Sequence, residues 1–221
     1  MQFEIPNPEF DRVATLDIET THYKPNLGEV VSVGVGVHDA GTATEQARYE
    51  LFHRDEASVD NEVELIRRAV SYLDTCNADG LVTYNGVDFD LPFLCDRMYL
   101  NGAEKPVIPL DTAETHVDMM KVRKERCART DEDWPSLEAC LESYDLPVPK
   151  TTWGGSLLTN KRFGRELGPA YIDALGNGGV DDLKPVIEHY LQTDLEANFA
   201  VFYSDIGEAF EPWHLNTDAE F

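Results

Sequence analysis

Residues 13–20, which read VATLDIET, are the stretch from which the predicted fold follows. The stretch begins as an apolar strand and ends with two carboxylates, Asp17 and Glu19, which are separated by one residue. Side chains two residues apart in a strand point to the same face, so both acids leave the strand in one direction. Two adjacent negative charges are unfavourable unless a cation lies between them, and the pair therefore indicates a divalent metal. The alternative is a buried strand that runs into an acidic loop.

The composition is that of a globular but very acidic protein. The 221 residues suffice for one substantial domain or two small ones, and the hydrophobic fraction of 42% suffices for a packed core. The formal charge is -24, from 42 Asp and Glu against 18 Lys and Arg. Because the acids are spread along the whole chain, the composition is typical of a protein kept soluble in very high salt. We therefore predict a halophilic protein, with an ordinary acidic protein as the alternative.

The cysteines and the N-terminal residues bear on the cellular compartment. The four cysteines are widely spaced and form no Cys-x-x-Cys pair of the kind that binds zinc, so they are expected as free thiols in a reducing compartment. The first ten residues lack the basic and apolar regions of a signal peptide, and no apolar segment approaches membrane-spanning length. We expect a cytoplasmic protein that makes no contact with a membrane.

Strand and helix patterns alternate along the chain. Short apolar or alternating stretches predict strands over residues 13–20, 30–37, 47–53, 80–84 and 107–111, the first three as a meander. Apolar residues at helical spacing predict helices over residues 58–75, 92–100, 117–129, 135–144 and 181–204. This order predicts an α/β fold, a mixed five-stranded sheet with helices on both faces.

We expect one domain over residues 1–207. The glycine-rich residues 150–180 are predicted to form an irregular insertion with one helical piece at 169–175. The acidic residues 208–221 are predicted to form a loosely attached tail.

Two later segments carry further candidate residues. Asp90 lies just before the second predicted helix, where the open N–H groups and the helix dipole favour a carboxylate. A plain N-cap is the alternative for Asp90 taken alone. On the last predicted helix, Tyr190 and Asp194 are four residues apart and share one face. This spacing is weak evidence by itself, because Tyr84 and Asp88 also show it.

The combination of the three segments is specific. A strand with Asp-x-Glu comes first, Asn-x-x-x-Phe-Asp-x-Pro at residues 85–92 comes next, and a late helix with Tyr-x-x-x-Asp comes last. In this order and spacing they resemble the DEDDy 3′–5′ exonucleases of the ribonuclease H-like superfamily. The closest resemblance is to the proofreading domain of family B DNA polymerases and its stand-alone prokaryotic relatives. It spans roughly residues 13–203 and implies the ribonuclease H-like form of the predicted sheet.

The resemblance implies a catalytic role for each motif residue. Asp17, Glu19, Asp90 and Asp194 would be the metal-binding carboxylates, and Tyr190 would orient the attacking water. The implied cofactors are two divalent metal ions, Mg²⁺ or Mn²⁺, which prefer oxygen ligands. Such a pair can activate a water and stabilise the leaving 3′ oxygen.

Substrate contacts are expected from two places in the sequence. The resemblance places Asn85, and with it Phe89 of the same motif, near the substrate strand. Lys121, Arg123 and Lys124 belong to a basic cluster that could line a path for the phosphate backbone, with a solvated helix face as the alternative. In molar salt the Debye length is about 3 Å, so metal–phosphate bonds, stacking and a few local basic groups could hold a polyanion despite the acidic charge.

The expected function is that of a stand-alone 3′–5′ exonuclease that releases nucleoside monophosphates from single-stranded DNA 3′ ends, in DNA repair or replication. One alternative is a 3′–5′ exoribonuclease of the same superfamily, whose pocket would accept a 2′-hydroxyl. The other is a non-catalytic nucleic-acid-binding accessory subunit. Replication or repair proteins are the expected protein partners.

Overall fold

The computed structural model describes residues 2–221, apart from the side chain of Glu45. Met1, the first residue of the predicted domain, lies outside the described residues. The strands are β1 (Arg12–Thr20), β2 (Val30–Asp39), β3 (Arg48–His53), β4 (Gly80–Thr83), β5 (His116–Asp118), β6 (Lys150–Trp153), β7 (Ser156–Leu157) and β8 (Asp218–Glu220). They form a five-stranded sheet in the order β3-β2-β1-β4-β5 and a three-stranded sheet in the order β7-β6-β8.

The helices connect and cover these sheets. They are α1 (Val59–Thr75), α2 (Leu91–Leu100), α3 (Met119–Thr130), α4 (Leu137–Ser143), α5 (Asn160–Arg162), α6 (Gly168–Asn177) and α7 (Val180–Asp205). Two π-helical turns, Gly86–Asp90 and Phe163–Leu167, lead into α2 and α6, and 3₁₀ turns occupy Thr44–Gln46 and His214–Asn216. Among the described residues, no helix has both the length and the apolar character needed to cross a membrane.

The five-stranded sheet has the predicted mixed pairing. The meander β1-β2-β3 is antiparallel, whereas β4 lies parallel to β1 and β5 lies parallel to β4. Parallel neighbours need a crossover connection, and α1 and α2 lie in the connections that precede β4 and β5. The predicted α/β class and the five-stranded mixed sheet are confirmed.

The two faces of the five-stranded sheet carry separate hydrophobic cores. One face packs under α1 and α2 and receives from β1 the side chains of Ala14, Leu16 and Ile18. The other face packs under α4 and α7 and receives Val13. Because successive residues of a strand point to opposite faces, Asp17 and Glu19 lie on the face that α7 covers. The predicted helices on both faces are confirmed.

Two glycines of β2 allow α7 to lie close to the sheet. Gly34 is paired with Asp17, and Gly36 is paired with Thr15. A Cβ atom on Gly34 would lie 2.6 Å from Leu195 Cδ1, and one on Gly36 would lie 2.9 Å from Phe199 Cε2, and both of these side chains belong to α7. The missing side chains therefore bring α7 against the sheet directly beside the acids of β1.

The predicted strand over residues 107–111 is wrong. The fifth strand is β5, which pairs with β4 through Leu81 and His116. The apolar run contains Pro109 and follows Pro106, and proline cannot donate to a strand ladder. Val107 is 90% exposed, so the apolar run does not mark a buried strand.

Residues 150–221 are more regular than the sequence predicts. The expected insertion contains β6, β7, α5 and α6, and the predicted helical piece lies within α6. The expectation of a loosely attached tail is wrong, since β8 pairs with β6 and the side chains of Phe210 and Leu215 are buried. The buried Glu196 of α7 accepts the backbone N–H groups of Trp213 and Leu215, at 3.1 and 2.6 Å. Hydrogen bonds to a buried carboxylate thus fix the tail to α7.

Candidate active site

Three carboxylates converge between β1 and α7. Asp17, Glu19 and Asp194 each offer an oxygen, and these three atoms lie within 4.8 Å of one another. Asp17 and Glu19 lie on the same face of β1. Asp194 lies on α7, which can approach the sheet closely because Gly34 has no side chain. Carboxylate oxygens at this spacing can share a cation, so the arrangement can hold divalent metal.

Asp90 is the fourth acid of the same cleft. It is 3% exposed and is the last residue of the π-helical turn Gly86–Asp90, where α2 begins. Its backbone is helical and its side chain accepts no capping hydrogen bond, so the predicted N-cap role is wrong. The helical run begins after Asn85, whose φ of 79° makes the turn, and Asp90 consequently lies inside the run. Its side chain lines the cleft that contains the other three acids.

Burial and mutual repulsion raise the pKa values of these acids. Burial raises the pKa of Asp17 to about 7. The pKa of Glu19 is well above its ordinary value because of burial, and then because of the charges of Asp17, Asp194 and Asp90. Burial and the charge of Asp17 also raise the pKa values of Asp90 and Asp194. Four ionised carboxylates are therefore unfavourable here without counter-charge, which is the environment that divalent cations stabilise.

The acids lie in a cleft of about 420 Å³. Its wall also contains polar and aromatic side chains, namely His22, Tyr23, Tyr84, Asn85 and Phe89. A second cavity of about 370 Å³ adjoins it and shares Leu137, Glu138, Asn160 and Asp194 with the first. The acids thus face a space large enough for a small organic group such as one nucleotide.

Tyr190 lies one helical turn before Asp194 and is 8% exposed. Its hydroxyl donates a hydrogen bond to the side-chain oxygen of Asn160, and its ring stacks on Phe163 with centroids 5.9 Å apart. Burial first, and then the charges of Asp194 and Glu19, raise the pKa of Tyr190 well above its ordinary value. Tyr190 lines the second cavity, and Asn160 lines both. A protonated hydroxyl is therefore held near the boundary between the two cavities.

Comparison with known proteins identifies the family. The model of the exonuclease domain of DNA polymerase family B matches residues 4–122. The chain belongs to this family. The match includes Asp17, Glu19 and Asp90 and ends before Tyr190 and Asp194, which the fold brings to the same site. The predicted resemblance to the family B proofreading domain is confirmed.

Individual relatives are similar to parts of this exonuclease domain. A DNA polymerase of Thermococcus aggregans is 30% identical over 89 residues, 39% of this chain and 5% of that protein. The family B DNA polymerase of Pyrobaculum calidifontis superposes with a TM-score of 0.55 at 17% identity, over 88% of this chain and 24% of that chain. Exonuclease I of E. coli, in complex with an oligonucleotide, superposes with a TM-score of 0.43 at 15% identity, over 62% of this chain and 36% of that chain. The chain thus spans a small part of the polymerases that it matches.

Asn85 and Phe89, the predicted substrate residues of the second motif, both line the cleft of this exonuclease domain. The turn that presents them is fixed by Asp118, which accepts the backbone N–H groups of Asn85 and Val87, each at 3.0 Å. Asp118 also accepts the N–H groups of Met120 and Lys121, and thus caps α3. One carboxylate therefore joins the start of α3 to the rim of the cleft.

The three lysine and arginine candidates on α3 have different surroundings. Lys124 Nζ donates to Asn85 Oδ1 at 2.9 Å and therefore lies at the cleft rim. Lys121 is exposed and follows Met120, which lines the cleft.

The prediction that Arg123 binds substrate is wrong. Its side chain is fully buried and forms a bidentate ion pair with Asp205, with N–O distances of 2.7 and 2.8 Å. Helical phase explains the error, because Met119 and Cys127 lie four residues to either side on the buried face of α3. Arg123 thus joins α3 to the end of α7.

Two functional candidates of the exonuclease domain are missing from the sequence prediction. Glu138 lines both cavities, and its charge helps to raise the pKa values of Asp194 and Tyr190. Asn160 holds the hydroxyl of Tyr190 across 30 residues of sequence. Asn160 lies in no motif or predicted element, and Glu138 lies on the predicted helix over residues 135–144 without a motif partner, so the three-dimensional contacts reveal their place in the site.

Proposed function

We propose that this chain is a two-metal 3′–5′ exonuclease that releases nucleoside monophosphates from the 3′ ends of single-stranded DNA. The observation that supports the proposal is the convergence of Asp17, Glu19 and Asp194 within 4.8 Å, with Asp90 in the same buried cleft. Family membership supports the same class of reaction.

The clustered donors fit the implied metal ions. All of them are carboxylate oxygens, which are the ligands that Mg²⁺ and Mn²⁺ prefer. The ions would be held by Asp17, Glu19, Asp90 and Asp194. The raised pKa values of these acids mean that bound cations would stabilise their ionised forms. When bound, two such ions activate a water and stabilise the leaving oxygen of a phosphodiester.

Tyr190 and Asn160 would orient that water. A phenol has one O–H donor, and Tyr190 uses it in the hydrogen bond to Asn160 Oδ1, so the phenolic oxygen can only accept from a further partner. A water beside it would donate a hydrogen bond to the phenolic oxygen of Tyr190 and turn a lone pair toward the phosphorus. Asn85 and Phe89 would contact the terminal nucleotides from the wall of the cleft.

We propose a halophilic and cytoplasmic setting for this activity, and the acidic charge supports the first of these. In molar salt the Debye length falls to about 3 Å, so the net charge of -24 would not repel a nucleic acid over longer distances. Replication or repair proteins remain the proposed partners, because the family is that of a polymerase domain. We propose one domain over residues 1–207, with the anchored tail as an extension of it.

A gel assay tests the proposal. A 5′-labelled DNA oligonucleotide and an RNA of the same sequence are incubated with the chain and with Asp17→Ala, in molar KCl with Mn²⁺. A ladder of shortened DNA that is absent with Asp17→Ala is the expected result. A ladder on RNA alone would replace the proposal with an exoribonuclease. Binding of both strands without hydrolysis would replace it with an accessory subunit.

A further inference from the structure

We infer that Trp134 and Lys124 form a platform beside the cleft on which a base of a single strand stacks, upstream of the nucleotide being removed. The inference rests on the proposed function, because the acids define where the 3′ end lies. It adds a binding subsite outside the cleft to that proposal.

One lysine connects the ring to the cleft. Trp134 is 57% exposed, and Lys124 Nζ lies 5.8 Å from the centroid of its ring. The same ammonium donates to Asn85 Oδ1 and to Asp88 Oδ2, each at 2.9 Å. Because Asn85 lines the cleft, the exposed ring lies one lysine side chain away from the cleft wall. A strand that leaves the cleft past Asn85 would therefore meet the ring.

The backbone on either side of Trp134 is held in place. The hydroxyl of Tyr84 donates to the carbonyl of Pro135 at 2.6 Å, and the thiol of Cys127 donates to the carbonyl of Asp133 at 3.6 Å. Ser136, which lines the cleft, caps α4 by accepting the N–H of Ala139. The ring is thus exposed on a positioned segment, so little ordering is needed when a base stacks on it.

The charge of the chain favours stacking as the mode of contact. Only 18 lysines and arginines accompany 42 acids, and in molar salt phosphate–lysine attraction is screened whereas base–aromatic stacking persists. A second exposed aromatic–lysine pair has the same chemistry. Tyr23 lines the cleft, is 67% exposed and lies 5.4 Å from Lys24 Nζ. Exposed rings of this kind suit unpaired bases, whose faces are free.

Fluorescence anisotropy tests the platform. A labelled oligo(dT) of about twelve nucleotides is titrated with the chain in molar KCl and excess EDTA, so that the strand stays intact. Trp134→Ala should raise Kd at least about fivefold, the lower end of stacking on one base, and Trp134→Phe should restore most of the affinity. Trp213→Ala is the matched control, because Trp213 is 66% exposed and lines a different cavity with Tyr49 and Glu196.

Salt and strand length separate stacking from other roles of the ring. The loss caused by Trp134→Ala should persist from low to molar KCl, whereas a loss caused by Lys124→Gln should shrink as salt rises. The loss should also be larger for the long oligonucleotide than for a dinucleotide, which ends inside the cleft.

Two outcomes would overturn the inference. If Trp134→Ala binds the long oligonucleotide as the parent does, the strand does not use the ring, and a protein partner becomes the better occupant. If Trp134→Ala weakens the dinucleotide equally, the ring supports the cleft and is not a separate platform. Failure of the proposed function is recognised separately in the gel assay with Mn²⁺, because the parent chain would then leave the DNA unshortened whether or not it binds the strand.

Discussion

Replacing Asp17 by asparagine should stabilise the metal-free domain. Burial raises the pKa of Asp17 from 3.8 to about 7. Between these pH values the folded state keeps a proton that the unfolded state has released, so stability falls as pH rises through this window. One pKa unit corresponds to about 1.4 kcal/mol, which sets an upper limit of about 4 kcal/mol at pH 8. Because Asp17 is partly exposed, solvent reduces this, and we expect a gain of about 1 to 3 kcal/mol for Asp17→Asn.

Urea unfolding in excess EDTA at pH 4.5 and at pH 8 measures this effect. The parent should lose stability between the two pH values, and Asp17→Asn should lose less. Mn²⁺ in place of EDTA should stabilise the parent at pH 8 and stabilise the variant much less, because a ligand that binds only the folded state raises stability with the logarithm of its concentration divided by its Kd. Glu104→Gln, which alters an exposed acid, serves as the matched control.

Two results would refute the reasoning. Equal stability of the metal-free parent at pH 4.5 and pH 8 would show that the folded state keeps no extra proton. A less stable Asp17→Asn at pH 8 in EDTA would show that the carboxylate makes a favourable contact in the absence of metal.

Three further predictions concern the support of the site. Gly34→Ala should lower stability by about 1 to 3 kcal/mol in urea, because its Cβ would lie 2.6 Å from a leucine methyl of α7; unchanged stability would contradict this. Arg123→Ala should lower stability by about 3 to 5 kcal/mol, because it leaves the buried charge of Asp205 without its cationic partner; a raised KM with full stability would instead indicate a substrate contact. Tyr190→Phe and Asn160→Ala should each lower kcat about tenfold, the scale of one hydrogen bond. Because both act through the same hydroxyl, the double variant should be no slower than the slower single variant. Losses that multiply in the double variant would mean that Asn160 acts independently of Tyr190.

The parts of the site that follow local periodicity were predictable from the sequence. The two-residue repeat of a strand places Asp17 and Glu19 on one face, and the four-residue repeat of a helix places Tyr190 beside Asp194. The α/β class follows equally from the order of strand and helix patterns. Predicting the placement of these residues required no knowledge of contacts between distant segments.

The remaining features depend on contacts between distant segments. Asn160 reaches Tyr190 across 30 residues, and no repeat in either segment signals the pair. The tail is held because Glu196, on a buried face of α7, accepts two of its N–H groups, although the tail itself is acidic. Arg123 differs from these, because the phase of Met119 and Cys127 on α3 would have shown that it faces inward.

The close approach of α7 to β2 has a consequence for the order in which the nascent chain acquires its site. The meander that carries Asp17 and Glu19 involves neighbours in sequence, so it can pair early during synthesis. Asp194 and the helix that covers this face of the sheet are made after the meander, and the two glycines of β2 leave the space that side chains of this helix occupy. A ribosome-bound chain would therefore carry the first two acids without their partner, and metal binding by all three acids would have to wait until α7 has been made.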